Sequence, residues 1–178
     1  MTQPNPRLHD TIAVDVTADG WSTAIAGAAS PQTIVVAAAG AALACAGPSY
    51  PVEIGVRLTG DGEMRALNRE YRGRDATTNV LSFALAADDA ASELGYPPPG
   101  SAPKLLGDIV AAYETCAGEA EDQTKSLADH LHHMVVHGVL HLLGYDHETV
   151  DDAAQMEALE FDILARLGVP DPYARAAA

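Results

Sequence analysis

Six of the seven histidines lie between residues 130 and 147, and three of them have the spacing of a metal site. His137 and His141 are four residues apart, so on a helix they lie about 40° apart on one face, one turn above the other. Gly144 then permits a backbone turn that other residues do not easily adopt, after which His147 can return as a third ligand. Three neutral nitrogen ligands with an open fourth position are typical of catalytic zinc. The spacing therefore predicts a metal site on this helix and on the turn that follows it.

The same spacing occurs in the extended zinc-protease motif HExxHxxGxxH, but one position differs. In those proteases the Glu that follows the first His is the general base. Gly138 stands at that position here. Peptide hydrolysis by that mechanism is therefore disfavoured, while the metal chemistry remains available for another substrate.

The neighbours of the three histidines allow more than one interpretation. His133 lies one turn before His137, so it is either a group behind the ligands or a substrate contact. Asp146 either orients a ligand imidazole, as metal-bound histidines usually require, or caps the final helix. The other three histidines are expected to face solvent or to satisfy hydrogen bonds in the core: His9, His130 and His132.

Arginines are concentrated in one short segment of a chain that has few other bases. Five of the ten basic residues are arginines between positions 57 and 74. Arg65, Arg69 and Arg72 fall at i, i+4 and i+7, which is one stripe of a helix. The stripe is either a solvated face paired with acidic residues or a set of phosphate contacts, since guanidinium groups hold phosphate bidentately and stabilise developing negative charge. Residue types alone do not separate these two interpretations.

Hydrophobic periodicity in the first half of the chain predicts strands joined by helices. Alternating apolar residues predict strands at 12–16 and 52–58, and the interval between them suits a helical crossover. A short helix is expected from Asp61, as its N-cap, to a stop at Gly73. Its buried face is expected to consist of Met64, Leu67 and Tyr71.

The second half of the chain changes from strands to helices. An acidic, proline-rich loop at 86–104 separates two short apolar runs. The fold class expected from the whole pattern is α+β, a small mixed β-sheet packed with several helices in a single domain over 1–178, with flexible tails at 1–10 and 168–178. The expected elements of this half are strands at 79–85 and 105–111 and helices at 113–123, 126–143 and 150–167.

The charge of the chain argues at first against a nucleic-acid substrate. The 178 residues contain 25 Asp and Glu against 10 Lys and Arg, a net charge of −15. Residues 75–162, however, hold 17 of the acids and only two of the bases, so the rest of the chain is balanced at eight of each. RNA binding is therefore expected to be local, at the arginine segment, and modest in strength.

Composition and cysteine usage predict a cytoplasmic protein. Only two cysteines occur, Cys45 and Cys116, in no CxxC pair, and they are expected to be buried thiols. The uncharged stretch at 20–52 is long enough to span a bilayer, but it consists mostly of small residues interrupted by Pro31, which favours a buried helical layer. Residues 1–10 lack the apolar core of a signal peptide. No membrane partner is expected.

Three segments together resemble the YbeY family of bacterial rRNA-maturation endoribonucleases. They are HGVLHLLGYDH at 137–147, LNREYRGRDATTNVLSFAL at 67–85 and LLGDIV at 105–110. The resemblance extends over about residues 50–167 and is marked by highly specific motifs, whereas the first 50 residues match only in general pattern.

The resemblance implies a metalloprotein that binds one zinc ion through His137, His141 and His147. It also implies a single-strand-specific endoribonuclease that acts in rRNA maturation, notably at the 3′ end of 16S rRNA, and in ribosome quality control. The family's functional arginine falls on Arg72, which the resemblance places at the scissile phosphate. The implied partners are ribosomal RNA, the ribosome and ribosome-associated proteins, and no DNA is expected.

Two functions of other classes stay open. A zinc metallopeptidase-like hydrolase shares the histidine spacing but lacks the Glu. A non-catalytic, RNA-binding ribosome assembly factor would use the arginines to hold RNA around a purely structural metal. The general base and the nucleophile, water or a 2′-hydroxyl, are not assigned by the residues.

Overall fold

Four strands form one mixed sheet, and its two halves run differently. In space the order is β1 (Thr11–Val16), β2 (Val52–Thr59), β4 (Lys104–Ala112) and β3 (Val80–Ala84). The pairs β1–β2 and β2–β4 are parallel, whereas β3–β4 is antiparallel. This is a computed structural model that describes residues 10–25, 27, 29–85 and 102–174. The prediction of an α+β fold with a small mixed sheet is confirmed.

The helices follow from the connections that the sheet requires. Parallel β1 and β2 need a crossover, and α1 (Asp19–Ala24) and α2 (Pro31–Ala46) supply it. Side-chain caps begin three of the longer helices, because Ser30, Ser126 and Thr149 each accept a hydrogen bond from a backbone N–H of the first turn. The remaining helices are α3 (Asp61–Arg72), α4 (Tyr113–Asp122), α5 (Leu127–Leu142) and α6 (Val150–Arg166).

The two faces of the sheet are covered unequally. One face packs against α2 and α5, and α6 packs on these two helices, in a single core that includes Trp21, Ile54 and Leu140, all fully buried. On the other face, α3 lies against the β3–β4 end, where Met64, Leu81 and Val110 form a smaller cluster. The central apolar strands therefore hold α5 on one side and α3 on the other.

Gly138 lets α5 approach the sheet closely. A Cβ atom at this position would lie 2.9 Å from Cγ2 of Ile109 on β4. The hydroxyl of Ser82, on β3, donates a 3.3 Å hydrogen bond to the carbonyl of Gly138. The segment of α5 that carries the histidines is thus seated directly on β3 and β4.

Helix α3 differs from the sequence prediction in two places. Gly60 is its N-cap and Asp61 its first residue, so the predicted Asp61 cap is wrong; the Asp61 carboxylate instead accepts hydrogen bonds from Thr115. Tyr71 was expected in the buried face but is 59% exposed, because the strand that it packs against, β3 with Phe83, is the edge strand of the sheet. The predicted stop at Gly73 is confirmed by its left-handed backbone, φ +67°.

The expected loop and tails lie largely outside the described residues. These are the segments 1–9, 86–101 and 175–178. Residues 168–174, which were expected to be flexible, contact the rest of the protein: the Lys125 ammonium, in the loop before α5, donates a hydrogen bond to the carbonyl of Pro172, and the Tyr173 hydroxyl donates to Glu160 on α6. None of the helices in the described part of the chain is both long and apolar enough to cross a bilayer.

Candidate metal centre and adjoining cleft

The three predicted histidines converge at the carboxyl end of α5. His137 and His141 lie one turn apart on the helix, and their Nε2 atoms are 3.0 Å apart. Gly144 adopts φ +91° after the helix ends, and this turn brings back His147. One ligand atom from each imidazole lies within 4.8 Å of the others. The structure therefore brings together a group of three nitrogens that could hold a metal ion.

Hydrogen bonds fix two of the rings in the form that a metal requires. Nδ1–H of His137 donates to Oε1 of Glu160 at 2.6 Å, and Nδ1–H of His141 donates to the carbonyl of Tyr145 at 3.0 Å. Each bond puts the ring proton on Nδ1, so the lone pair on Nε2 faces the other histidines of the three-nitrogen group. Two nitrogens bound tetrahedrally to zinc lie about 3.3 Å apart, close to the observed separation. The donor set thus fits a zinc ion with an open fourth position.

The environment keeps His141 neutral, as ligation demands. Its burial, together with the neighbouring His137, lowers the pKa of His141 below its usual range. A neutral imidazole offers a lone pair to a metal, whereas a protonated one repels it. His147 is exposed and reaches the group from the turn.

A buried carboxylate behind the histidines was missed by the sequence reasoning. Glu160 on α6 is 1% exposed, and its two oxygens accept hydrogen bonds from His133 at 3.0 Å and from His137 at 2.6 Å. The hydroxyl of Tyr173 donates to the same carboxylate. Although burial alone would raise the pKa of Glu160, the hydrogen bonds from His133, His137 and Tyr173 lower it to about 2. Glu160 is therefore ionised.

A sequence signal for Glu160 did exist. Met156, Glu160, Ile163 and Leu164 share one helical face, and all four are buried. A charged residue at an apolar position of an amphipathic helix is a buried charge, which must find partners. The same hydrogen bonds place His133 behind the ligands, which favours the first of the two interpretations considered for it.

The other polar residues near the three histidines form hydrogen bonds, although the buried Nδ1 of His130 has no partner in the described part of the chain. His130 is 3% exposed and bonds Glu119 at 2.8 Å, while His132 donates to the carbonyl of Ala128 on its own helix. Asp146 accepts a hydrogen bond from the backbone N–H of His147. Thr149, not Asp146, caps α6, so the interpretation of Asp146 as the helix cap is wrong. The Asp146 carboxylate instead stabilises the turn that carries His147.

A cavity of about 800 Å³ opens beside the histidines and has Arg72 in its wall. His137, His141 and His147 line one part of it, and Arg72 and Arg74 line another. The Arg72 guanidinium reaches across β3 to donate a 3.2 Å hydrogen bond to the carbonyl of Ser82. Ser82 on β3 also donates to the carbonyl of Gly138 on α5. Arg72 and the histidine helix that begins its ligand motif at His137, 65 residues later, are thus joined through this one strand.

The arginine segment divides into paired and unpaired side chains. Arg57 contacts Asp15 and Glu63, and Arg65 forms a two-point contact with Asp75, from which Arg69 lies 3.9 Å away. Among the described residues, no carboxylate lies within ion-pair distance of Arg72 or Arg74. The solvated-face interpretation therefore suits Arg65 and Arg69, while Arg72 and Arg74 are available to an anionic ligand of the cleft.

The match to a known family covers both the histidine helix and the arginine segment. The model of the family described as endoribonuclease YbeY matches residues 24–168. The chain belongs to the YbeY family. Endoribonuclease YbeY of Paramagnetospirillum magneticum is 49% identical to it over 162 residues, covering 91% of this chain and 94% of that protein. Endoribonuclease YbeY of Azorhizobium caulinodans is 50% identical over 165 residues, covering 92% of this chain and 96% of that protein.

A solved structure with the same fold is the solution structure of TM1509 from Thermotoga maritima. It aligns with a TM-score of 0.51 at 22% identity, covering 93% of this chain and all of that one. At this identity the likeness concerns the fold. The predicted resemblance to YbeY and the prediction of an endoribonuclease are confirmed by the family match. The match begins within the first 50 residues, where the motifs alone gave only a general pattern.

Proposed function

We propose that the protein is a zinc-dependent endoribonuclease, specific for single strands, that acts in rRNA maturation at the 3′ end of 16S rRNA and in ribosome quality control. Its partners are ribosomal RNA, the ribosome and ribosome-associated proteins in the cytoplasm. The observation that supports the chemistry is one cavity lined by both the three-histidine group and Arg72, for which the described residues supply no ion-pair partner. Family membership supplies the reaction class.

His137, His141 and His147 are proposed to hold one zinc ion per chain through their side-chain nitrogens. When bound, zinc supplies a Lewis acid and lowers the pKa of water toward neutrality. The protein holds the rings for this purpose, since Glu160 and the Tyr145 carbonyl fix the tautomers of His137 and His141.

Arg72 is the proposed catalytic residue. Its guanidinium donates one hydrogen bond to the carbonyl of Ser82, and within the described residues its other N–H groups remain available for a phosphate in the cavity. A guanidinium binds two phosphate oxygens at once and stabilises the negative charge that develops during cleavage. Arg74, in the same wall, is placed to bind a neighbouring phosphate.

The shape and charge of the cleft support a preference for single strands. Its wall also contains Asp146 and Glu148, so anions are favoured on the arginine side only. A single strand can turn its backbone into such a cavity and splay its bases, whereas a duplex presents a rigid pair of backbones. With few available cations in an acidic protein, binding depends on this local fit rather than on a broad basic surface.

The alternative of a metallopeptidase-like hydrolase is disfavoured by geometry as well as by residue type. A side chain at position 138 would point at Ile109 in the sheet and not into the cavity. The position of the protease Glu is therefore inside the α5–β4 contact. The alternative of a non-catalytic assembly factor uses the same arginines and has to be separated by measurement of turnover.

The test is cleavage by the purified, zinc-loaded protein of a single-stranded 16S rRNA 3′ fragment, of the same fragment annealed to its complement, and of a peptide substrate. We expect cleavage of the single strand alone. Arg72→Ala is expected to keep its zinc and fold and to lose about 10²–10³-fold in rate. Arg65→Ala is the matched control, because Arg65 pairs with Asp75 outside the cavity.

Each outcome selects one function. RNA that is bound but left intact by zinc-loaded protein supports the assembly factor, and cleavage of the peptide supports the metallopeptidase. Cleavage by Arg72→Ala at the rate of Arg65→Ala would remove Arg72 from the mechanism.

A further inference from the structure

We propose that Glu160 is the positioning residue of the metal centre and that Tyr173, in the segment that follows α6, completes its hydrogen bonds, so that residues 168–174 regulate how firmly the metal is held. The proposal rests on the zinc site proposed above. It adds a role for two residues outside the motif segments.

One carboxylate holds two histidines of α5 at once. His133 and His137 lie on successive turns of the helix, and each donates a hydrogen bond to a different oxygen of Glu160. With both oxygens engaged, the carboxylate cannot rotate without breaking one of the bonds. The ring of His137 is therefore fixed in orientation as well as in tautomer, and its Nε2 faces His141.

The burial of Glu160 gives the carboxylate a strong effect on the metal site. Its side chain is 1% exposed and lies on the face of α6 that also buries Met156 and Ile163. A negative charge in such surroundings is screened little by water. It makes the Nε2 atom of His137 a stronger electron donor and attracts a cation on the far side of the ring.

Tyr173 joins the segment after α6 to this carboxylate. Its hydroxyl donates to Glu160, and its ring packs edge-on against His133 with centroids 5.6 Å apart. The carbonyl of Pro172 is held by Lys125, from the loop before α5. Residues 172 and 173 thus close over the outer side of the His133–Glu160 pair and limit the access of water to it.

The test compares zinc affinity by competition with a chromogenic chelator, without RNA. Glu160→Gln keeps the size and one acceptor but removes the charge, and we expect a loss of about 10- to 100-fold in affinity. Tyr173→Phe is expected to lose less, with faster zinc release. Glu157→Gln is the matched control, because Glu157 lies one turn earlier on the exposed side of α6, and it is expected to bind zinc as the unmodified protein does.

A second readout separates positioning from general stability. In the zinc-free protein, ¹⁵N NMR reports the tautomer of each histidine, and we expect the Nδ1–H form of His137 to fall in Glu160→Ala and to persist in Glu157→Gln. Thermal unfolding of the same samples shows whether folding has been lost; if Glu160→Ala does not fold, Glu160→Gln still carries the affinity test.

The outcomes distinguish this proposal from the zinc assignment itself. Unchanged zinc affinity in Glu160→Gln would overturn the positioning role. Unchanged zinc release in Tyr173→Phe, with Glu160→Gln weakened, would overturn the role of residues 168–174. Absence of zinc binding by the unmodified protein would refute the metal proposal and, with it, regulation of the metal, while the tautomer measurement would still decide whether Glu160 positions His137.

Discussion

A Cβ atom on Gly138 would lie 2.9 Å from Cγ2 of Ile109, closer than real Cβ atoms approach a neighbour. The absence of a side chain at 138 is therefore what allows α5 to lie on β4. Because His137 immediately precedes Gly138 in the helix, this contact also sets the distance of the candidate metal centre from the sheet. The residue that separates this motif from that of the proteases is a packing residue here.

Gly138→Ala is expected to destabilise the protein by about 1–3 kcal/mol, since the added methyl group overpacks the contact with Ile109. Thermal unfolding measures the change. Gly118→Ala is the control, because Gly118 is also helical but has open space around its Cβ position; it is expected to gain about 0.4–1 kcal/mol. Equal effects of the two substitutions would contradict the close packing of α5 on the sheet.

His141→Ala is expected to lower bound zinc well below one ion per chain, because two imidazoles and water form a weaker site than three imidazoles. Elemental analysis of the purified protein measures it. His132→Ala serves as the control, since His132 donates to the Ala128 carbonyl of its own helix and lies outside the three-histidine group. Full zinc occupancy in His141→Ala would refute its assignment as a ligand.

Arg74→Ala is expected to weaken the binding of single-stranded RNA and to reduce the slope of log affinity against log salt by about 0.7, the loss of one phosphate contact. Titrations at several salt concentrations measure both quantities. Arg65→Ala, whose guanidinium is already paired with Asp75, should leave the slope unchanged. A slope altered equally by both would show that RNA binds along the whole arginine stripe.

Cys116 is expected to resist a thiol reagent at pH 8 in the folded protein, whereas Cys45, which is half-buried, reacts first. Burial, with a contribution from Glu119, raises the pKa of the Cys116 thiol to about 12, so almost no thiolate exists at pH 8. Cys45→Ala isolates the slower thiol, and denaturant should make it react. Rapid labelling of folded Cys45→Ala would be inconsistent with the buried position of Cys116.

The sequence predicted what depends on local periodicity. The helical spacing of His137 and His141, the glycine turn before His147 and the alternating strands are short-range patterns, and the structure contains each of them. The sheet order also follows from simple rules, since a long helical crossover favours parallel β1 and β2.

Partnerships between distant segments were not predictable in the same way. Glu160 is 23 positions from His137, and only the packing of α6 on α5 brings the two together. The stripe of Arg65, Arg69 and Arg72 looked uniform on a helical projection. Asp75, in the turn after α3, engages the first and approaches the second, which leaves the third for the cleft.

The groups of the metal centre have a fixed order along the chain. His137, His141 and His147 are synthesised before Glu160 and Tyr173, which hold the first of them in place. A chain whose translation stops within α6 before Glu160 therefore contains all three histidines of the proposed metal site but lacks the carboxylate that orients His137. Under the proposed function, such a partial chain would hold its metal loosely and would be a weak endoribonuclease until Glu160 and Tyr173 have been added.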